Sequence, residues 1–358
     1  MIRNVAPRIE INLAKIAHNA DILLNLYDSK GVGLMAVTKG VCGSPKIARV
    51  LVAQGIQILG DSKLKNLKKM RDAKIGAEYV LLRSPALSEV ESVVDYADIS
   101  LNTELVIIKR LSDIALNRKK MHKIILMVEM GDLREGIMPE DLESFIQKVL
   151  ELPGIDLVGI GANYACFGGV KPDEDKMKKL SSLAVQIEER FSLSLSFVSG
   201  GNSANHSWLM ATESSGRINN LRLGEAILLG RETLSRKAIA GLYTDAFTFV
   251  SEVIESKIKP SVPYGEIAQN VLGIFPQFEE RGNIRRAILG VGFQDALISG
   301  LTPKLDLDIL GSSSDHTVLD AKKVNLLVGD EVAFFVNYGA MLSVMSSPNI
   351  FKKYIYTL

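Results

Sequence analysis

Cysteine is nearly missing from these 358 residues: Cys42 and Cys166 are the only two, and they stand far apart. That excludes a disulfide framework and suits a reducing compartment, so a cytoplasmic location is expected. Histidine is scarce as well. His18, His122, His206 and His316 are scattered without metal-ligand spacing, and no metal is expected. Long apolar runs are absent. None approaches a membrane span, and the opening stretch MIRNVAPRIEINL lacks the apolar core of a signal peptide, so no membrane partner is expected. No charge of one sign prevails either. With 42 basic and 41 acidic residues the net charge is +1, which gives no reason to expect nucleic acid as a partner. The one basic stretch, from Lys63 to Lys69, reads as a solvated helix face with Leu64 and Leu67 turned inward.

What is present is a repeated pattern. At 47% hydrophobic and 23% charged residues the chain is globular, and its length suits a barrel plus a smaller domain. Apolar residues at helical spacing run from Asn12 to Tyr27. Short strand-like runs follow at Gly33–Thr38, Ile56–Gly60, Tyr79–Leu82, Ala97–Leu101, Lys123–Val128, Leu157–Gly161, Leu195–Val198 and Asn220–Leu223, with amphipathic stretches between them. Eight strands alternating with helices predict an α/β fold, a (β/α)8 TIM barrel over residues 12–235. Beyond about Arg236 helical periodicity mostly stops. Runs at Phe247–Ile258, Arg286–Val291, Asp306–Leu310, Thr317–Asp320 and Glu331–Val336 predict a smaller C-terminal β-rich domain over 236–358, joined by residues 1–11.

In such barrels the chemistry sits at the C-terminal ends of the strands. Lys39 occupies that place after the first strand, where it is neither a core residue nor an ordinary solvated charge. Asp61, Arg83, Asn102, Arg134 and Asn163 follow the next five strands, and Ser199-Gly200-Gly201-Asn202-Ser203 ends the seventh. Arg222 and Gly224 belong to the eighth. Loops after strands seven and eight form the usual phosphate site of barrels, which suits Gly200-Gly201, Ser203 and Gly224. A lysine near an anion-binding loop points to a Schiff base with a phosphorylated aldehyde. Arg134 and Arg222 could equally pair with loop carboxylates such as Asp132 or Glu225.

Taken as a set, VTKG (37–40), MGDLREGI (130–137), SGGNS (199–203), INNLRLGEAILLGRET (218–233), KPSVP (259–263) and GSSSDH (311–316) resemble the alanine racemase family, and within it the ornithine racemase branch. The resemblance spans almost the whole chain. It implies a cytoplasmic homodimeric isomerase that uses pyridoxal 5′-phosphate on a small-molecule amino acid. Lys39 would carry the cofactor and act as one base, and Tyr264, from the partner subunit, as the other. Arg222 would face the pyridine nitrogen and Arg134 the phenolic oxygen. Asn202, Ser203 and Gly224 would surround the phosphate, with Asn163 and Glu225 also at the cofactor. Departures from the alanine racemase pattern bear on the substrate. Asn163 replaces a ring-stacking histidine, Met127 a carbamylated lysine, Phe293 a tyrosine and Ser314 a methionine. Ornithine is the expected substrate, with lysine, alanine or a broad amino-acid range as the alternative. Asp295 and Asp315 are candidates to meet a basic side chain. A decarboxylase of the same fold, or a non-catalytic cofactor carrier, are the competing readings. Arg222 speaks against the first, and the second domain with Tyr264 against the other.

Overall fold

The computed structural model describes residues 5–271 and 273–358. These form two compact units, one of Lys15–Thr244 and one of residues 5–14 with Asp245–Leu358. Residues 1–4, expected in the β domain, lie outside the described residues. The chain begins with β1 (Arg8–Asn12), which belongs to the second unit.

The first unit is a closed parallel barrel. Its strands are β2 (Gly33–Val37), β3 (Ile58–Asp61), β4 (Glu78–Leu81), β5 (Ile99–Asn102), β6 (His122–Met127), β7 (Ile155–Gly161), β8 (Phe197–Asn202) and β9 (Asn220–Leu223). The expected eight strands are all there, with ends shifted by a few residues. Successive side chains on a strand point to opposite faces. Met35, Val80, Ile99, Leu101, Ile125, Met127 and Val158 meet inside the barrel, with Ile58, Leu82 and Phe197 packed on them. Their neighbours Ala36, Leu59, Leu81, Ile124 and Leu126 are buried too, on the face toward the helices. Burial on both faces explains why these strands read as continuous apolar runs. β2 pairs with β9 to close the barrel, with Met35 opposite Arg222.

The segment 236–244, which the change of periodicity assigns to the β domain, folds with the barrel unit instead. The reason is local. The buried Asn19 amide donates to Tyr243 O at 2.8 Å and accepts from Tyr243 N at 2.7 Å, fastening the segment to the first helix.

The second unit is built on β10 (Phe247–Pro260), a strand long enough to serve two sets of partners. Its first half pairs with β1 and with β15 (Glu331–Val336). After a bulge between Val253 and Glu255 its second half pairs with β11 (Asn283–Leu289). β12 (Leu301–Pro303) adds to β15, while β14 (Thr317–Asp320) and β13 (Asp308–Ser312) continue from β11. β16 (Phe351–Ile355) lies parallel to β1. The buried Arg8 guanidinium forks onto Glu331 at 2.5 and 2.7 Å and reaches Glu10 at 2.9 Å, tying β1 to β15. A helix, Tyr338–Ser346, was not signalled by periodicity. It starts where the Asn337 side chain accepts from Ala340 N at 2.9 Å.

Candidate active site

Lys39 stands in a 3-10 turn, Lys39–Val41, directly after β2. The residue before it is fixed from the next strand. Thr38 N donates to Gly60 O at 2.8 Å, and the Thr38 hydroxyl to Asp61 Oδ2 at 2.8 Å. The other Asp61 oxygen accepts from Lys63 N at 3.0 Å and Asn66 Nδ2 at 2.9 Å. Asp61 therefore supports Lys39 from the wall. Burial lowers the Lys39 amine below its ordinary value, and Arg134 and Arg222 push in the same direction against opposing pulls from Cys166 and Asp61. An amine so depressed keeps a larger neutral, nucleophilic fraction.

Arg222, on β9, is buried and has no carboxylate partner among the described residues. Its Nη1 donates to Ser199 Oγ and its Nη2 to Ala162 O, both at 2.6 Å. The Ser199 hydroxyl in turn donates to Asn220 Oδ1 at 2.8 Å. Burial pushes the guanidinium down to about 10, so it remains protonated at neutral pH. The expected alternative, a pair with Asp132 or Glu225, is not formed.

Arg134 lies beyond β6 and forks through Nε and Nη2 onto Glu135. This pairing raises the guanidinium further above its ordinary value. Nη1 is left to face another acceptor. The turn that carries Arg134 is shaped by Glu129, whose Oε1 accepts from Gly131 N at 2.5 Å and Leu133 N at 3.0 Å.

β8 ends in a cradle. Gly201 has φ +138°, and a Cβ there would lie 2.2 Å from Asn205 Oδ1, so only glycine fits. Asn202 Oδ1 caps the following 3-10 turn, Ser203–Asn205, by accepting from Ala204 N at 2.8 Å. Asn202 Nδ2 donates to Tyr164 O at 2.8 Å and to Asn163 Oδ1 at 3.2 Å. Ser203 Oγ accepts from Ala226 N at 3.2 Å, which leaves its hydroxyl proton free to donate outward. Gly224 lies close to β2; a Cβ there would stand 3.3 Å from Val37 Cβ. The buried Glu225 carboxylate is taken by Arg236 and by Thr233 Oγ1 at 3.5 Å. Two polar atoms beside the cradle, Asn163 Nδ2 and Tyr164 OH, are buried without a partner among the described residues. An unmet buried donor costs about 1–3 kcal/mol, which a ligand with acceptor atoms would recover.

The remaining expected residues lie in the second unit. Tyr264 is 92% exposed, in the irregular segment between β10 and β11. Asp295 is buried and committed: its Oδ1 accepts from Ser347 Oγ at 2.6 Å and Asn349 Nδ2 at 3.0 Å. Asp315 is exposed, with His316 Nδ1 at 2.8 Å and Ser314 Oγ at 3.2 Å from its Oδ1. Of the two carboxylates expected for a basic side chain, Asp315 alone is open to solvent. Phe293 and Ser314 lie in one loop pair, with Phe293 N donating to Ser313 O at 3.0 Å.

Ala162 and Glu129 carried no sequence signal of their own, while Ser199 and Glu135 stood inside the SGGNS and MGDLREGI stretches without a role assigned. Together these four set the arginines in place.

Residues 11–232 match the alanine racemase N-terminal domain. The chain is 41% identical to an ornithine racemase of Acetoanaerobium sticklandii, over 97% of this chain and 99% of that one. It is 36% identical to a lysine racemase of Thermotoga maritima, over 98% and 99%. Among solved structures, an alanine racemase of Clostridium difficile superposes with a TM-score of 0.78 at 18% identity, covering 99% of this chain and 97% of that one, a likeness of fold. The class these matches define is that of the amino-acid racemases, isomerases of barrel-plus-β-domain build. The chain belongs to the alanine racemase family. Among the described residues no helix is long and apolar enough to cross a membrane.

Proposed function

We propose that the chain is a pyridoxal 5′-phosphate-dependent racemase that interconverts L- and D-ornithine, working as a homodimer in the cytoplasm. The observation that carries this reading is the grouping of a depressed lysine, Lys39, with Arg134 and Arg222 at one end of the barrel. The residues fit the cofactor. The Ser203 hydroxyl, the glycine-lined cradle and the unpartnered Asn163 Nδ2 offer donors to an anionic, acceptor-rich group. When bound, the cofactor acidifies the α-hydrogen of the amino acid joined to it.

Each residue then has a task. Lys39 would hold the cofactor through its amine and, once released from it, would serve as a base. Ser203 would donate to the phosphate, and Gly224 would let the backbone approach it. Asn202 spends its amide on Tyr164 and Ala204, so it shapes the cradle rather than filling it. Glu225 is likewise spent on Arg236, and its contribution is to fix the turn after Gly224. Arg134 offers Nη1 to the phenolic oxygen.

Arg222 keeps N–H bonds to spare and would face the pyridine nitrogen. A guanidinium there would keep the ring nitrogen unprotonated, weaken the cofactor as an electron sink and favour return of the proton to the same carbon. Inversion needs two bases. Lys39 takes the proton from one face while Tyr264, from the partner subunit, delivers one to the other; in the reverse direction the roles exchange. The exposed Tyr264 segment, which also presents Val271, Ile274 and Phe275, suits burial against a second copy.

Ornithine ranks before lysine because the 41% relative is an ornithine racemase and the 36% relative a lysine racemase. The holoenzyme incubated with single L-amino acids in heavy water tests the reading. α-Deuterated ornithine of both configurations is the expected product. Deuteration without inversion removes Tyr264 from its role, and release of carbon dioxide moves the chain to the decarboxylases. No exchange with any amino acid leaves a cofactor carrier.

A further inference from the structure

One buried carboxylate joins two loops at the mouth of the barrel. Asp132 is 2% exposed although its neighbour Leu133 is 71% exposed. The backbone explains the difference. Gly131 and Leu133 take positive φ values, +110° and +51°, and both N–H groups are held by Glu129 Oε1. The turn so formed drives the side chain between them inward.

There it meets the loop after β7. Asp132 Oδ2 accepts from Phe167 N at 3.0 Å and Cys166 N at 3.3 Å, and Oδ1 accepts from Val170 N at 3.2 Å. The two backbones also touch: a Cβ on Gly168 would lie 2.7 Å from Asp132 O. The loop from 165 to 170 is thus docked by three hydrogen bonds to one carboxylate and by a contact that only glycine permits.

This docking completes a path. At the near end of the docked loop, Tyr164 O and Cys166 Sγ accept from Asn202 Nδ2 at 2.8 and 3.6 Å. Asn202 in turn caps the 3-10 turn that carries Ser203. At the other end Asp132 is two residues from Arg134. We propose that Asp132 is a positioning residue that joins the Ser203 cradle and the Arg134 guanidinium into one hydrogen-bonded frame, so that the phosphate end and the phenolic edge of the cofactor are held at a fixed separation. The proposal rests on the pyridoxal 5′-phosphate reading above.

The chemistry of the clamp makes it testable by a small change. A carboxylate accepts on both oxygens; an amide of the same shape accepts on one and turns N–H groups toward the other partner. Asp132→Asn therefore breaks one side of the clamp. Gly168→Ala wedges the same loops apart while leaving the carboxylate intact. Both variants are titrated with pyridoxal 5′-phosphate, following the visible absorbance band of the bound cofactor, and kcat and KM are measured on the loaded enzymes. The expected result is a Kd for the cofactor weakened about tenfold or more. It is accompanied by a displaced absorbance band and a loss in kcat that exceeds any rise in KM. Wild-type affinity and an unchanged band in both variants overturn the proposal. If Asp132→Asn does not fold, Gly168→Ala decides between these two results. Failure of the wild-type chain to take up the cofactor removes the underlying reading instead, and the two failures are told apart by that control.

Discussion

Arg222 is held in the barrel by Ser199, whose hydroxyl oxygen accepts from Nη1 at 2.6 Å. The pair spans two adjacent strands, β8 and β9, and stands in place of an ion pair. A guanidinium held by a neutral hydroxyl and a carbonyl keeps its full charge for whatever it faces.

Removing the hydroxyl tests that arrangement. In Ser199→Ala, Arg222 keeps Ala162 O and loses a hydrogen bond to a charged group, worth about 1.5–3 kcal/mol. If Arg222 acts as proposed, on the reacting system and not on the free substrate, the expected outcome is a kcat for racemisation lowered roughly ten- to hundredfold with KM little changed. Chiral analysis of the product measures it. An unchanged kcat would leave Arg222 a structural residue only.

The partner-subunit role of Tyr264 has a genetic test. Lys39→Ala and Tyr264→Phe are each expected to be inactive. Mixed and allowed to exchange subunits, they form dimers in which one site pairs Lys39 of one chain with Tyr264 of the other. Random pairing restores about a quarter of the sites. No recovery of activity, with exchange verified by mass spectrometry, means that Tyr264 acts within its own chain or not at all.

His122 makes stability depend on pH. It is buried at the start of β6, with Nε2 at 2.9 Å from Ser100 Oγ. Burial lowers it from 6.5 to about 4, so the folded chain resists a proton that the unfolded chain accepts. The unfolded state then binds more protons between these values, and stability falls as pH drops through that window. The loss attributable to this one group reaches about 3 kcal/mol. In His122→Gln the total fall in unfolding free energy across that window, measured with urea at successive pH values, should be smaller by that amount. Parallel slopes in the two proteins refute the assignment.

The barrel was legible because its strands are buried on both faces and so appear as unbroken apolar runs. Lys39 was legible for a related reason: it is a charge placed directly at the end of such a run. What holds Arg222 was not, because Ser199 lies on β8 and Ala162 just beyond β7, and they meet it only when the barrel closes. The helix Tyr338–Ser346 escaped notice because glycine, serine and methionine dilute its period and an asparagine cap starts it. The fate of Asp295 was equally hidden, since Ser347 and Asn349, which bind it, come from far along the chain.

β2 and β9, the first and last strands of the barrel, lie side by side, with Met35 opposite Arg222 and Lys39 just beyond. The seam of the cylinder is therefore also the seam of the site. During synthesis Lys39 leaves the ribosome long before Arg222 exists, and until the final strand docks its amine lacks one of the two cations that depress it. On the proposed function, uptake of the cofactor would report ring closure: a chain interrupted before Asn220 carries Lys39 but not Arg222.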